Sequence, residues 1–221
     1  MLPDKVAVQL NDTHPAMVVA ELMRVLVDEY QLDWSRAWRL TRKTCAYTNH
    51  TLLPEALETW PVDMFSRVLP RHLEIIYQIN HEFLQDVRHR HPGDNDLLRR
   101  VSVIGEEGGR RVRMGHLAVI GSHKVNGVAA IHTGLMKSTI FSDFDHLNPG
   151  KINNKTNGVT PRRWLLLANP GLSALLAEHI GTGWVTHLEQ LRGLEPLADD
   201  GAFRRRFAAL KQANKKRVAV V

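Results

Sequence analysis

Apolar positions along this chain follow two rhythms, and the rhythm changes at short polar turns. The nearly unbroken apolar run Val6 to Leu10 predicts a strand over 5–10, buried on both sides. The turn Leu10-Asn11-Asp12-Thr13-His14-Pro15 follows, and then Val18, Val19, Leu22, Val25 and Leu26 recur at helical spacing, predicting a helix over 16–30. Asn11, Asp12 and Thr13 can each bond nearby backbone amides and cap that helix, and Pro15 suits a first helical turn. Asp33 is the expected cap of the next helix, which carries Trp34, Ala37, Trp38 and Leu40. A second strand is expected over 44–49, and Pro54 opens a helix over 55–60. The order β-α-α-β-α predicts an α/β protein with a parallel sheet.

Further along, Pro61 and Pro70 punctuate two helices. The longer, over about 71–91, has Leu73, Ile76, Ile79, Phe83 and Val87 on one stripe. Pro92-Gly93-Asp94 stops it, and a short helix runs over 94–100. Residues 101–104 and 111–121 read as strands joined by the hairpin loop Glu106-Glu107-Gly108-Gly109. The glycines of Gly121-Ser122-His123-Lys124-Val125-Asn126-Gly127-Val128 would let a ligand approach the backbone, although the stretch is no phosphate-binding fingerprint. A helix is expected over 129–138 and loop over 143–150. Lys151 to Trp164 holds three asparagines and two threonines ahead of a Pro-started helix. Helices are expected over 172–180, over 184–194 and from Asp199 or Asp200 onward.

An apolar fraction of 43% and five Trp suit a packed core, and no apolar run is long enough to span a membrane. Cys45 is the sole cysteine, which excludes an intrachain disulfide and suits a cytoplasmic protein. No histidine spacing gives a metal pair, so no metal is expected. The net charge of +6 raises nucleic-acid binding, but nearly all the excess falls after residue 198. There, seven Lys and Arg share an amphipathic pattern with Phe203, Phe207 and Leu210. A solvated helix face accounts for that pattern, so no nucleic-acid partner is expected. The abrupt strand at the start and the apolar end at Val218-Ala219-Val220-Val221 suggest an internal piece of a longer protein.

The candidate chemistry lies at the polar turns. Asp12 and His14 follow the first strand, while Asn49, His50 and Thr51 close the second. The C-terminal ends of parallel strands are where open α/β sheets hold ligands. Glu55 and Glu58 are expected in the first turn of a helix, where its dipole favours carboxylates.

The motifs Gln9-Leu10-Asn11-Asp12-Thr13-His14-Pro15, Ala46-Tyr47-Thr48-Asn49-His50-Thr51, Leu53-Pro54-Glu55-Ala56-Leu57-Glu58, Leu69-Pro70-Arg71-His72, Val125-Asn126-Gly127-Val128-Ala129 and Asn154-Lys155-Thr156-Asn157-Gly158-Val159-Thr160-Pro161-Arg162-Arg163-Trp164 together resemble the α-glucan phosphorylases. The resemblance spans the whole chain, with the motifs in the same order. It implies a partial two-lobed, Rossmann-like glycosyltransferase fold, helix-rich, with parallel strands and a β-hairpin. Residues 1–157 would be the later part of the N-terminal lobe, and 158–221 the first helices of the C-terminal lobe.

The implied reaction is phosphorolysis, in which inorganic phosphate removes the terminal α-1,4-linked glucose of a glucan as glucose 1-phosphate. By the same resemblance, His50 and Asn157 bind the sugar, and the His50 backbone carbonyl lies near the anomeric centre. Asp12, His14, Asn49, Thr51, Glu55 and Glu58 line the pocket, and Val128 is an apolar wall. Pyridoxal phosphate is the implied cofactor, its lysine and the phosphate-clamping residues falling outside this chain. The full-length family is commonly homodimeric. The isolated chain is expected to be inactive and poorly soluble. The alternative is a non-catalytic carbohydrate-binding fragment.

Overall fold

The computed structural model describes residues 2–220. Met1, and Val221 at the end of the apolar C-terminal run, lie outside that description. The chain divides into two compact units, Met1–Asn157 and Gly158–Val221.

The first unit is helix-rich α/β. Its strands, in chain order, are β1 Val8–Asn11, β2 Cys45–Asn49, β3 Thr59–Pro61, β4 Ile104–Gly105, β5 Arg111–Arg113, β6 Val125–Gly127 and β7 Ile152–Asn154. Its helices are α1 Val18–Arg24, α2 Trp34–Thr44, α3 Val62–Val68, α4 Pro70–Arg90, α5 Asn95–Val101, α6 Met114–Gly121, α7 Ala130–Ser138 and α8 Ser142–Leu147. Strands β1-β2-β6-β7, in that order, form a parallel sheet, and β3-β5-β4 form a small antiparallel one. The expected parallel sheet and hairpin are both present.

Register gives the parallel sheet two unlike faces. Leu10, Tyr47, Val125 and Ile152 stand in line and are buried, so this face carries the core. One residue further along each strand, Asn11, Thr48, Asn126 and Asn153 make a polar row on the opposite face. That row is bonded sideways. Gln9 Nε2 donates to Thr48 Oγ1 at 2.8 Å, and Thr48 Oγ1 donates to Asn126 Oδ1 at 2.8 Å.

Several helices start where their caps predict. Asp33 accepts from the Arg36 amide at 2.9 Å, and Asp94 from the Leu97 amide at 2.8 Å. Helix α4 buries Leu73, Ile76, Ile79 and Val87, four of its five expected stripe positions.

Other segments differ from expectation. The first strand is shorter than 5–10 and lies at a sheet edge, and within it only Leu10 is fully buried. The helix after it begins only at Val18, with no side-chain cap, and runs into a π-helical turn at Val25–Glu29. The helix expected over 55–60 is a single 3-10 turn, Pro54–Ala56, followed by β3. Leu57 closes that turn in extended backbone, and the Trp60 position pairs with Val112 across the small sheet.

The largest correction is α6. Residues 111–121 read as one strand, but only Arg111–Arg113 pair as strand. Met114–Gly121 is helical, and seven of its eight residues are buried. A helix enclosed on all sides has no polar face to mark its period. Similarly, the expected strand 101–104 is mostly the end of α5 and a turn before β4. The expected loop 143–150 is largely helix α8, and β7 lies inside what read as a polar loop.

The second unit holds a π-helical turn at Arg162–Leu167 and two further helices, α9 Pro170–Ile180 and α10 Gly201–Val218. Asn169 caps α9 and Asp200 caps α10. The helix expected over 184–194 is instead two 3-10 segments, Gly183–Val185 and Leu188–Leu197, the second containing Pro196. Helices α9 and α10 are joined by a two-bond pair between Glu178 and Arg206, at 2.6 and 2.7 Å.

Candidate sugar-binding edge of the parallel sheet

The four parallel strands end at Asn11, Asn49, Gly127 and Asn154, so the residues that follow each leave the same edge of one sheet. Asp12 and His14 follow β1. His50 and Thr51 follow β2, Val128 follows β6, and Asn157 follows β7. Sequence positions nearly 150 residues apart are thereby gathered at one edge.

The turn after β1 is tightly made. The Asp12 amide continues the ladder by donating to Thr48 O at 2.9 Å. Asp12 then takes φ 66°, a left-handed conformation that Asp tolerates better than most residues. Its carboxylate accepts from the Thr13 amide at 2.7 Å, so it braces its own turn and does not cap α1. Thr13 is fully buried, and its hydroxyl donates to Glu58 Oε2 at 2.9 Å. His14 is exposed.

The turn after β2 is anchored from three sides. His50 is exposed, with Nε2 at 2.5 Å from Asn11 Oδ1 on the neighbouring strand. Thr51 Oγ1 accepts from the Leu53 amide at 3.1 Å. Asn49 is wholly buried, and its amide is already engaged, donating to Tyr47 OH at 3.1 Å and accepting from His132 Nε2 at 3.0 Å. His132 Nε2 also lies 3.1 Å from Asn49 O. Two carbonyl acceptors at one nitrogen require that nitrogen to carry the proton. Tyr47 OH is itself deeply enclosed, and burial holds its phenol protonated far above neutral pH.

Glu55 is exposed in the Pro54–Ala56 turn, and Glu58 lies beyond it in non-helical backbone. The helix-dipole account of these two carboxylates therefore fails, and for Glu58 the Thr13 hydroxyl takes its place. Val128 is half-buried at the end of β6, and Asn157 is exposed. Gly121 and Gly127 do not mark a ligand's approach. A Cβ on Gly121 would meet Val19 Cγ1 at 2.5 Å, and one on Gly127 would meet Met136 Sδ at 2.8 Å. Their own chain fills that space.

Sequence reasoning missed the supporting residues. Thr13 and Asn11 sit inside the first motif, where their polar side chains were read only as caps. His132 is a single histidine on α7, and nothing in its spacing tied it to Asn49. Among the described residues, no group of three or more His, Cys, Asp or Glu could hold a metal ion. No helix among them is long and apolar enough to cross a membrane.

A parallel sheet with polar groups gathered at its C-terminal edge defines an α/β protein with a candidate ligand-binding edge. The sequence profile of the family described as carbohydrate phosphorylase matches residues 1–221, and the chain belongs to that family. It is similar to the brain form of glycogen phosphorylase from Rattus norvegicus, 61% identical over 96% of this chain and 25% of the relative's length. The brain form from Homo sapiens is 60% identical over the same shares. The muscle form from Oryctolagus cuniculus is 58% identical over 98% of this chain and 26% of its own length. The chain thus spans about a quarter of the length of the curated relatives it matches.

Proposed function

We propose that this chain forms one wall of the glucose site of an α-glucan phosphorylase. In that reaction inorganic phosphate takes the terminal α-1,4-linked glucosyl group, yielding glucose 1-phosphate and a glucan one unit shorter. The observation that carries the reading is the gathering of Asp12, His14, His50, Thr51, Val128 and Asn157 at one edge of one sheet. Identity near 60% to glycogen phosphorylases along nearly the whole chain supports it.

Glucose presents hydroxyls around a rigid ring and is held by directional partners that do not move. Exposed His50 and Asn157 are proposed to bond those hydroxyls, with Val128 against an apolar face of the ring. The His50 backbone carbonyl presents a partial negative charge. Near the anomeric carbon it would favour the positive charge that develops there as the glycosidic bond breaks. Asp12, His14, Thr51, Glu55 and Glu58 line the same pocket. Buried Asn49 belongs to the site as a positioning residue, since its amide is spent on Tyr47 and His132.

Pyridoxal phosphate is not assigned to these residues. Lys155, near the sugar edge, is exposed, and Lys151 precedes β7 at the opposite end of the strand. Neither is an enclosed amine beside the proposed sugar site, so no step is routed through the cofactor here. A cytoplasmic homodimer is part of the same proposal for the whole protein.

Phosphate-dependent release of glucose 1-phosphate from maltoheptaose by the whole protein tests the reading. Asn157→Ala should lower kcat/KM by about tenfold, the worth of one hydrogen bond to the sugar, without changing stability. Wild-type release with Asn157→Ala, or none from the parent, would overturn it. The 221 residues alone are proposed to release none.

A further inference from the structure

At the other edge of the parallel sheet, Arg42 and Lys151 line a cavity of about 230 Å³. Arg42 stands near the end of α2, which runs directly into β2, and Lys151 immediately precedes β7. The cavity therefore opens where the strands begin, whereas the sugar-directed turns leave where they end. Trp38, Phe83 and Phe144 form its apolar walls.

Three cations line this cavity, and among the described residues Lys151 and Arg42 lack a counter-charge. Lys151 Nζ makes no hydrogen bond or ion pair among the described residues. Arg42 lies over the Trp38 ring, 5.9 Å from its centroid, and no carboxylate among the described residues pairs with it. The two carboxylates on the α4 wall are engaged by neighbours on α4 itself. Asp86 accepts from Arg90 at 2.7 Å, and Glu82 accepts from the Gln78 amide at 2.8 Å. Lys124, from the neighbouring loop, is held on Gly150 O at 2.8 Å. A second cavity of about 330 Å³ shares Trp38 and Arg42 and adds Arg39, Lys43 and His123. Positive charge therefore dominates the approach.

We propose that this edge binds a small phosphate-bearing anion, with the Lys151 ammonium and the Arg42 guanidinium as its ligands. A guanidinium offers paired donors that match phosphate oxygens, and an ammonium adds a compact point charge. The anion would relieve the repulsion between the two cations and compensate the desolvation of Lys151. The aromatic walls leave room for a small organic body, so both free phosphate and a phosphate ester satisfy the chemistry.

The site carries its own signature. Burial, with repulsion from Arg42 added, brings the Lys151 pKa down to about 7. A bound anion restores the charged form, so binding near neutral pH takes up a proton. Glu82, Asp86 and Arg90 of α4, Arg39 and Lys43 of α2, and His123 ahead of β6 also face this region and stay constant between the variants below.

Calorimetric titration of the full chain with inorganic phosphate and with methyl phosphate tests the proposal. Binding should tighten from pH 8 to pH 6, and its heat should vary with the buffer's ionisation enthalpy. Arg42→Gln and Lys151→Met should each weaken binding by about tenfold or more, and Lys151→Met should abolish the proton uptake. Lys151→Met removes a half-buried, unpaired charge, so it should melt no lower than the parent at pH 6, which keeps the comparison on folded protein. Tighter binding of methyl phosphate would assign an ester as the ligand, and tighter binding of inorganic phosphate would assign the free ion. Equal affinity in parent and variants, absence of proton uptake, or no binding at about 10 mM would overturn the proposal.

Discussion

The Thr13 hydroxyl donates to Glu58 Oε2 at 2.9 Å across 45 residues of sequence. The bond ties the turn after β1 to the segment that leads into β3, the two segments proposed to line the glucose pocket beside the anomeric carbon. Thr13 is fully buried while Glu58 keeps partial access to water. Thr13→Val keeps the shape and removes the donor. It should cost about 1 kcal/mol, read as a lower urea midpoint at unchanged slope. An unchanged midpoint would mean that the tie does not stabilise the turn.

Asn49 and Asn157 should respond oppositely to truncation. Asn49→Ala strands the buried Tyr47 hydroxyl and leaves His132 Nε2 only the Asn49 backbone oxygen, a loss of about 1–3 kcal/mol in chemical denaturation. Asn157 is exposed, so Asn157→Ala should leave the unfolding free energy within about 0.5 kcal/mol of the parent. Equal losses in the two variants would refute this division between support and contact.

Gly127 closes β6 with no space for a side chain. A Cβ there would press on Thr133 Oγ1, Met136 Sδ and His132 Cδ2. Gly127→Ala should therefore destabilise by about 1–3 kcal/mol through overpacking. Because His132 holds Asn49, the same change should also disturb the Tyr47 environment, visible in the near-ultraviolet circular dichroism.

His116 sets an acid limit on stability. Burial, chiefly, and the nearby Arg113 charge lower its pKa from 6.5 to about 4, while Nδ1 lies 2.9 Å from Ser102 O. Between those values the unfolded chain binds the proton and the folded chain does not. The contribution is thus complete above pH 6.5 and is lost as pH falls toward 4. His116→Phe retains an aromatic ring beside Phe144, 5.0 Å away between centroids in the parent. Its melting temperature should fall less than the parent's between pH 6.5 and 4. Parallel pH profiles would exclude His116 as the source.

Much of the fold could be read locally. The stripe of α4 follows from one apolar face, and the caps at Asp33 and Asp200 follow from side chains bonding the nearest free amides. Helix α6 could not be read that way, because burial on every side removes the polar positions that reveal a period. Pro54 suits a first helical turn, which predicts a helix beginning at Glu55 and Glu58. Pairing of β3 with β5 instead holds Thr59–Pro61 extended. Strand β7 was hidden for the opposite reason, since its asparagines read as turn formers while its pairing with β6 is decided by the sheet.

By itself, the sequence determined the α/β alternation and the candidate residues Asp12, His14, His50 and Thr51, because strand ends, caps and turns are written in neighbouring residues, while Asn157 entered through the family motifs. Only the tertiary structure decided how those residues are supported. It buries Asn49 against Tyr47 and His132, binds Thr13 to Glu58, and leaves Lys151 beside Arg42 in a cavity at the far edge of the sheet. Each of these relationships joins segments far apart in the chain. Hydrogen bonding and desolvation depend on distance in space, which the spacing of residues along a sequence does not encode.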